Sequence, residues 1–121
     1  MLLESDRNRI LHMAESARQA MSFVQSRRRS DLETDAQLRL ALVRALEIVG
    51  EAASRVSPEL RAAHPEIPWR LAISTRNRLI HAYFDINLDI VWTTVTQALP
   101  KLLGMLEAVL EGKDAAPDGH T

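Results

Sequence analysis

Six apolar residues, Leu38, Leu42, Ala45, Val49, Ala52 and Val56, recur at alternating steps of four and three. That spacing keeps them on one face of an α-helix and is incompatible with the two-residue alternation of a half-buried strand. A stripe of this kind must be laid against another helix, so the segment predicts a helix from Asp31–Asp35 to about Val56 and at least one helical partner. Gly50 lies inside it at a cost of about 1 kcal/mol relative to alanine, which points to close backbone approach by a neighbouring element. On another face Arg44, Glu47, Glu51 and Arg55 repeat every three or four residues. They form either an exposed ion-paired surface, or a face on which Glu47 or Glu51 orients an arginine of a shared site.

The flanking sequence supplies partners. Leu3, Ile10, Met13, Ala14, Ala17, Met21 and Val24 predict an amphipathic first helix over about residues 2–26. The Arg27-Arg28-Arg29-Ser30 run that follows reads as a solvated helix end, where cations suit the C-terminal dipole, with an RNA-facing patch as the less favoured reading. Ser57-Pro58 and Pro65 to Pro68 bracket a short helical turn, Glu59 to His64. A third long helix is predicted from Trp69 to about Phe84, with Pro68 suited to its start. Asp85 or Asn87 caps a fourth helix reaching about Leu110 and kinked at Pro100. The expected fold is an all-α, up-and-down bundle of four main helices plus a short turn, spanning residues 1–111, followed by a flexible tail over 112–121.

Composition narrows the function. Fifteen Lys plus Arg against 16 Asp plus Glu leave a net charge of -1, so any nucleic-acid contact must be local rather than global. No cysteine is present, which removes disulfides, thiolate metal sites and cysteine nucleophiles together. His12, His64 and His120 form no His-x3-His or His-Glu-x-x-His spacing, the few glycines draw no phosphate loop, and no cofactor is implied. Met1 to Arg9 lacks the apolar run of a signal or anchor, which fits a cytoplasmic setting.

The segment Ser74 to Tyr83 concentrates the chemistry. On a helical wheel Arg76 shares the apolar stripe of Trp69, Ile73, Ile80 and Tyr83, and a guanidinium there requires a carboxylate, carbonyls, water or an anionic ligand. His81 falls about 140° away from Arg76, so one unbent helix does not bring the two onto one phosphate. Either the helix bends or a two-fold dimer lines one cleft with both copies. In metal-independent RNA cleavage His81 is suited to move the proton, Arg76 to hold the phosphate, and Asn77 to position through its amide. The plain alternatives are a surface histidine and an ion-paired arginine.

Arg76-Asn77-Arg78-Leu79-Ile80-His81 resembles the signature of the HEPN superfamily, and His81-Ala82-Tyr83 resembles the extension found in HepT-like toxins. Arg44 to Ala53, His64 to Trp69 and Asp89 to Trp92 are similar to further blocks of that family, so the likeness covers roughly residues 30–110. The resemblance implies a homodimeric helical bundle acting as the ribonuclease toxin of a type VII-like toxin-antitoxin system. It implies Arg76 and His81 as the catalytic pair, and an MntA-like nucleotidyltransferase antitoxin that transfers AMP to Tyr83. AMP on Tyr83, seven residues from Arg76 on the same face, would compete for that arginine and obstruct RNA. A non-catalytic partner that binds a nucleotide or a nucleotidyltransferase is the alternative.

Overall fold

The computed structural model describes residues 2–81 and 86–112, with the backbone alone for residues 80 and 81. Among the described residues the regular structure is all helical: α1 (Glu4–Phe23), α2 (Asp31–Thr34), α3 (Ala36–Ser54), α4 (Pro58–Ala63), α5 (Trp69–His81), α6 (Leu88–Thr93) and α7 (Leu99–Leu110). A π-helical turn, Thr94–Ala98, joins α6 to α7. The helix expected to reach about Phe84 is described only to His81, and the tail beyond Gly112 lies outside the described residues.

The centre of the molecule is α3, which packs against α1 on one side and α5 on the other, while α1 also packs on α7. Its buried residues explain how one helix serves two partners. Leu38, Leu42, Ala45, Val49 and Ala52 form the stripe evident in the sequence. Val43, Leu46, Gly50 and Ala53 form a second buried stripe, turned by about 100°. Two of its four members are glycine and alanine, small enough to let a neighbouring backbone come close.

Three boundaries differ from expectation. The first helix stops at Phe23 although the apolar spacing continues to Val24, because Ser26 takes a left-handed φ of 61° that ends the helical path. A single turn, α2, precedes α3 because Asp35 is extended and its side chain accepts the Leu38 N–H at 3.0 Å, capping a new helix. Pro100 sits in the first turn of α7, and the missing hydrogen bond is absorbed by a wider turn. There the Leu99 N–H reaches back five residues to the Thr94 carbonyl. Asn87 caps α6 as expected, accepting from the N–H groups of Asp89 at 2.9 Å and Ile90 at 3.2 Å.

The arginine run is not a solvated helix end. It lies in the connection between α1 and α2, where Arg27 pairs with Asp31 at 3.3 Å and Asp35 at 2.7 Å. Arg29 pairs with Glu33 and, at 2.6 Å, with Asp89 of α6, tying the α2 turn to the far helix. The Arg27 hydrogen bond and the Leu38 N–H hold the Asp35 carboxyl below its usual range. The Arg28 N–H, followed by Arg27, does the same for Asp31.

A second tie fixes the base of the bundle. Asp6 is buried in α1 and accepts both the Ser57 N–H at 2.9 Å and the Ser57 hydroxyl at 2.6 Å. Ser57 in turn caps α4 by accepting the Leu60 N–H. The turn after α4 is closed by Trp69, whose ring N–H donates to the His64 carbonyl at 3.0 Å. That bond fixes where α5 begins.

Candidate functional site

The close crossing of α3 and α5 places Arg76. A Cβ built on Gly50 would overlap the Arg76 Cβ and stand 2.7 Å from the Ala72 carbonyl oxygen. Nothing larger than hydrogen therefore fits between the two helices at this point, which is the close approach that a glycine inside a helix suggests. On α5, Trp69 and Leu79 are buried and Ala72 and Ile73 pack against the core, with Arg76 in the middle of this face.

The arginine is only loosely satisfied. One terminal nitrogen donates to the Asn77 side-chain oxygen at 3.0 Å, and the other reaches Glu51 at 3.4 Å. Its Nε is buried and makes no hydrogen bond among the described residues. The Glu51 pair has side chains 31% and 47% exposed, so solvent screening limits it to well under about 1 kcal/mol. A buried donor without a partner costs about 1–3 kcal/mol. The fold thus gains little from this residue, whose guanidinium is left with donors that its neighbours do not satisfy.

Of the two glutamates on the polar face of α3, Glu51 is the one that meets the arginine of α5. Among the described residues Glu47 reaches only Arg44, at 3.5 Å. Glu51 is shared, because its other oxygen pairs with Arg55 at 3.1 Å. Among the described residues Asn77 engages the arginine beside it directly. His81 is the last residue of α5, and its side chain lies outside the described residues, as does Tyr83. No proline, glycine or π-turn interrupts α5, so none of the usual causes of a kink is present to swing His81 toward Arg76.

The remaining histidines are apart from this site. His64 closes α4 with its ring 3.2 Å from Glu66, and His12 is exposed on α1. His120 is outside the described residues. Trp69 is a core residue, and Trp92 packs half-buried against the core. What sequence reasoning missed is Leu79 as a core residue of α5 and Asp6 as a buried anchor. An apolar residue ten positions after Trp69 gave a signal for the first, since ten residues bring a helix back to within about 80°; nothing in the spacing signalled the second.

No solved structure was found to match this chain. A family model described as "Ribonuclease HepT-like" matches residues 13–109. The chain is 42% identical over 77 residues to "Probable ribonuclease HepT" of Thermococcus cleftensis, covering 64% of this chain and 70% of that protein. It is 34% identical over 95 residues to "Putative RNase MJ1380" of Methanocaldococcus jannaschii, covering 78% of this chain and 87% of the relative. The span matched by the family model takes in the Gly50 crossing, Glu51, Arg76, Asn77 and His81 together, and the chain belongs to the HepT-like ribonuclease family.

Proposed function

We propose that the protein is a metal-independent endoribonuclease and the toxin of a type VII-like toxin-antitoxin pair, with Arg76 and His81 as its catalytic residues and Asn77 in support. The observation that carries this reading is Arg76. It occupies the centre of a packed helix face, contributes little to stability, and is part-buried with only Asn77 and a long contact to Glu51 as partners, while its Nε makes no hydrogen bond among the described residues.

The chemistry needs one proton transfer at each end of the reaction. A base takes the proton from the ribose 2'-hydroxyl, the 2'-oxygen bonds to the adjacent phosphorus, and the bond from phosphorus to the 5'-oxygen breaks as that oxygen gains a proton. The products are a 2',3'-cyclic phosphate and a 5'-hydroxyl end. His81 serves as the base or the acid, and Arg76 binds the phosphate and offsets charge on its oxygens as the transition state forms.

An unbroken α5 sets Arg76 and His81 about 140° apart, which favours a two-fold homodimer in which α5 of each copy lines one cleft. Leu71 on α5 is 58% exposed and Ile90 on α6 is 37% exposed, giving apolar surface for such a pairing. An MntA-like nucleotidyltransferase neutralises the toxin by transferring AMP to Tyr83.

Purified protein is expected to cleave single-stranded RNA in excess EDTA and to leave cyclic-phosphate ends. Arg76→Ala and His81→Ala should abolish cleavage while remaining folded dimers by light scattering. Undiminished cleavage by His81→Ala would remove the mechanism. A growth assay separates the non-catalytic alternative: expression of a binding module is harmless with or without His81, whereas the toxin is harmful only with it. Co-expression with an MntA-like enzyme should add AMP to Tyr83 by mass spectrometry, and an adduct at any other residue would refute that assignment.

A further inference from the structure

A second concentration of positive charge lies between α1 and α3. A groove of about 280 Å³ there is lined by Arg9 and His12 of α1 and by Arg44, Glu51 and Arg55 of α3. Arg44, Glu51 and Arg55 come together because steps of seven and four residues return to one face of a helix. This face is distinct from the two buried stripes of α3. Three guanidiniums and an imidazole meet one carboxylate in the groove, on a chain whose net charge is -1.

These cations are little committed to the fold. Among the described residues Arg9 and His12 make no ion pair or side-chain hydrogen bond, and Arg44, 70% exposed, reaches only Glu47 at 3.5 Å. Arg55 pairs with Glu51, the residue that also holds Arg76. Glu51 is therefore a shared wall: one oxygen faces the groove and the other faces the candidate catalytic arginine. A phosphate that draws Arg55 away leaves Glu51 to Arg76 alone.

We propose that this groove is a second phosphodiester-binding subsite, which holds the backbone of single-stranded RNA beside the Arg76 site. The proposal rests on the ribonuclease reading of Arg76 and adds where the flanking phosphates lie. It also reconciles the slightly acidic chain with a polyanionic substrate, because the required field is confined to one groove that shares Glu51 with the Arg76 site.

The test is a salt titration of binding to a short, labelled 2'-O-methyl oligoribonucleotide, which lacks the attacking hydroxyl and reports binding apart from cleavage. The double variant Arg9→Gln/Arg44→Gln should weaken binding about ten-fold or more and flatten the plot of log K against log salt by about 0.7 for each phosphate no longer neutralised. Arg9→Lys/Arg44→Lys should retain most of the slope. Arg61→Gln, on α4 away from the groove, should change neither quantity. Thermal unfolding verifies that each variant is folded.

Unchanged affinity and slope in the glutamine variant overturn the proposal, and so does a lysine variant that behaves like the glutamine one. Wild-type protein that does not bind the oligonucleotide overturns it too. If the glutamine variant instead loses a nucleotidyltransferase partner while keeping RNA, the groove is a protein interface and the proposal fails. Binding that follows the prediction in a protein that cuts no RNA supports the groove and refutes the catalytic reading. Cleavage and binding both untouched by the glutamine variant do the reverse.

Discussion

Replacing Gly50 by alanine puts a methyl group where α3 and α5 already touch. The new Cβ would meet the Ala72 carbonyl oxygen at 2.7 Å and the Arg76 Cγ at 3.0 Å, and it would overlap the Arg76 Cβ. Ordinary contact begins near 3.4 Å, so the overlap with the Arg76 Cβ requires α5 to retreat by about 1 Å or more. The obstacles are backbone and the base of a side chain, which cannot rotate aside, and the cost should lie at the upper end of overpacking, about 3 kcal/mol. Alanine returns about 1 kcal/mol through helix propensity. The net loss is about 2 kcal/mol, or a Tm lower by about 8 °C for a chain of this length.

Gly104 supplies the matched control. It also lies within a helix, but a Cβ there meets nothing within 4 Å. Gly104→Ala should therefore stabilise by about 1 kcal/mol and raise Tm by about 4 °C. Calorimetry on both variants isolates the crossing from helix propensity. Because the same retreat moves the Arg76 guanidinium, Gly50→Ala should also reduce cleavage by about ten-fold or more, since a shift near 1 Å can cost about a hundred-fold. A Gly50→Ala protein as stable as Gly104→Ala would refute the close-crossing account.

Other outcomes test the surroundings. Glu51→Gln should alter stability by less than about 1 kcal/mol yet lower kcat about ten-fold, because it orients Arg76; Glu47→Gln should leave kcat alone, and equal effects on kcat would deny Glu51 its positioning role. Asp6→Ala removes both acceptors of Ser57 and should cost about 1–3 kcal/mol by urea unfolding, with an unchanged midpoint as the refuting result. Asp31 and Asp35 have lowered carboxyl pKa values in the fold, so their contribution is present above the usual aspartate range and is lost as pH falls through the lowered values. Arg27→Ala should accordingly make stability less steeply dependent on pH between about pH 5 and 3, and identical slopes would show that the clamp does not set those carboxyls.

The helices were legible where apolar spacing was regular. The stripe from Leu38 to Ala52 marks one face of α3, which ends at Ser54 just short of Val56, and Asn87 marks a cap through a local hydrogen bond that needs no tertiary context. The second face of α3 was hidden because Gly50 and Ala53 contribute closeness instead of hydrophobic bulk. The break at Asp35 and the end of α1 at Phe23 depend on single backbone conformations that periodicity does not encode. At the site, sequence spacing placed Arg76 inside an apolar stripe and required a partner for it, but could not decide between Glu47 and Glu51. That choice depends on which turn of α3 faces α5, and so on the crossing point at Gly50.

The π-turn at Thr94–Ala98 bears on how this chain can differ in length from its relatives. A π-turn carries one residue more than the α-helix it interrupts, and that surplus residue rotates everything after it by about 100° relative to an unbroken helix. Val91 before it, Val95 within it, and Leu99, Leu102, Leu106 and Val109 after it are all buried in the core. Chain length is therefore adjustable at this turn, where losing one residue lets the segment relax to a plain α-helix. One turn later the same deletion would swing Leu102, Leu106 and Val109 toward water.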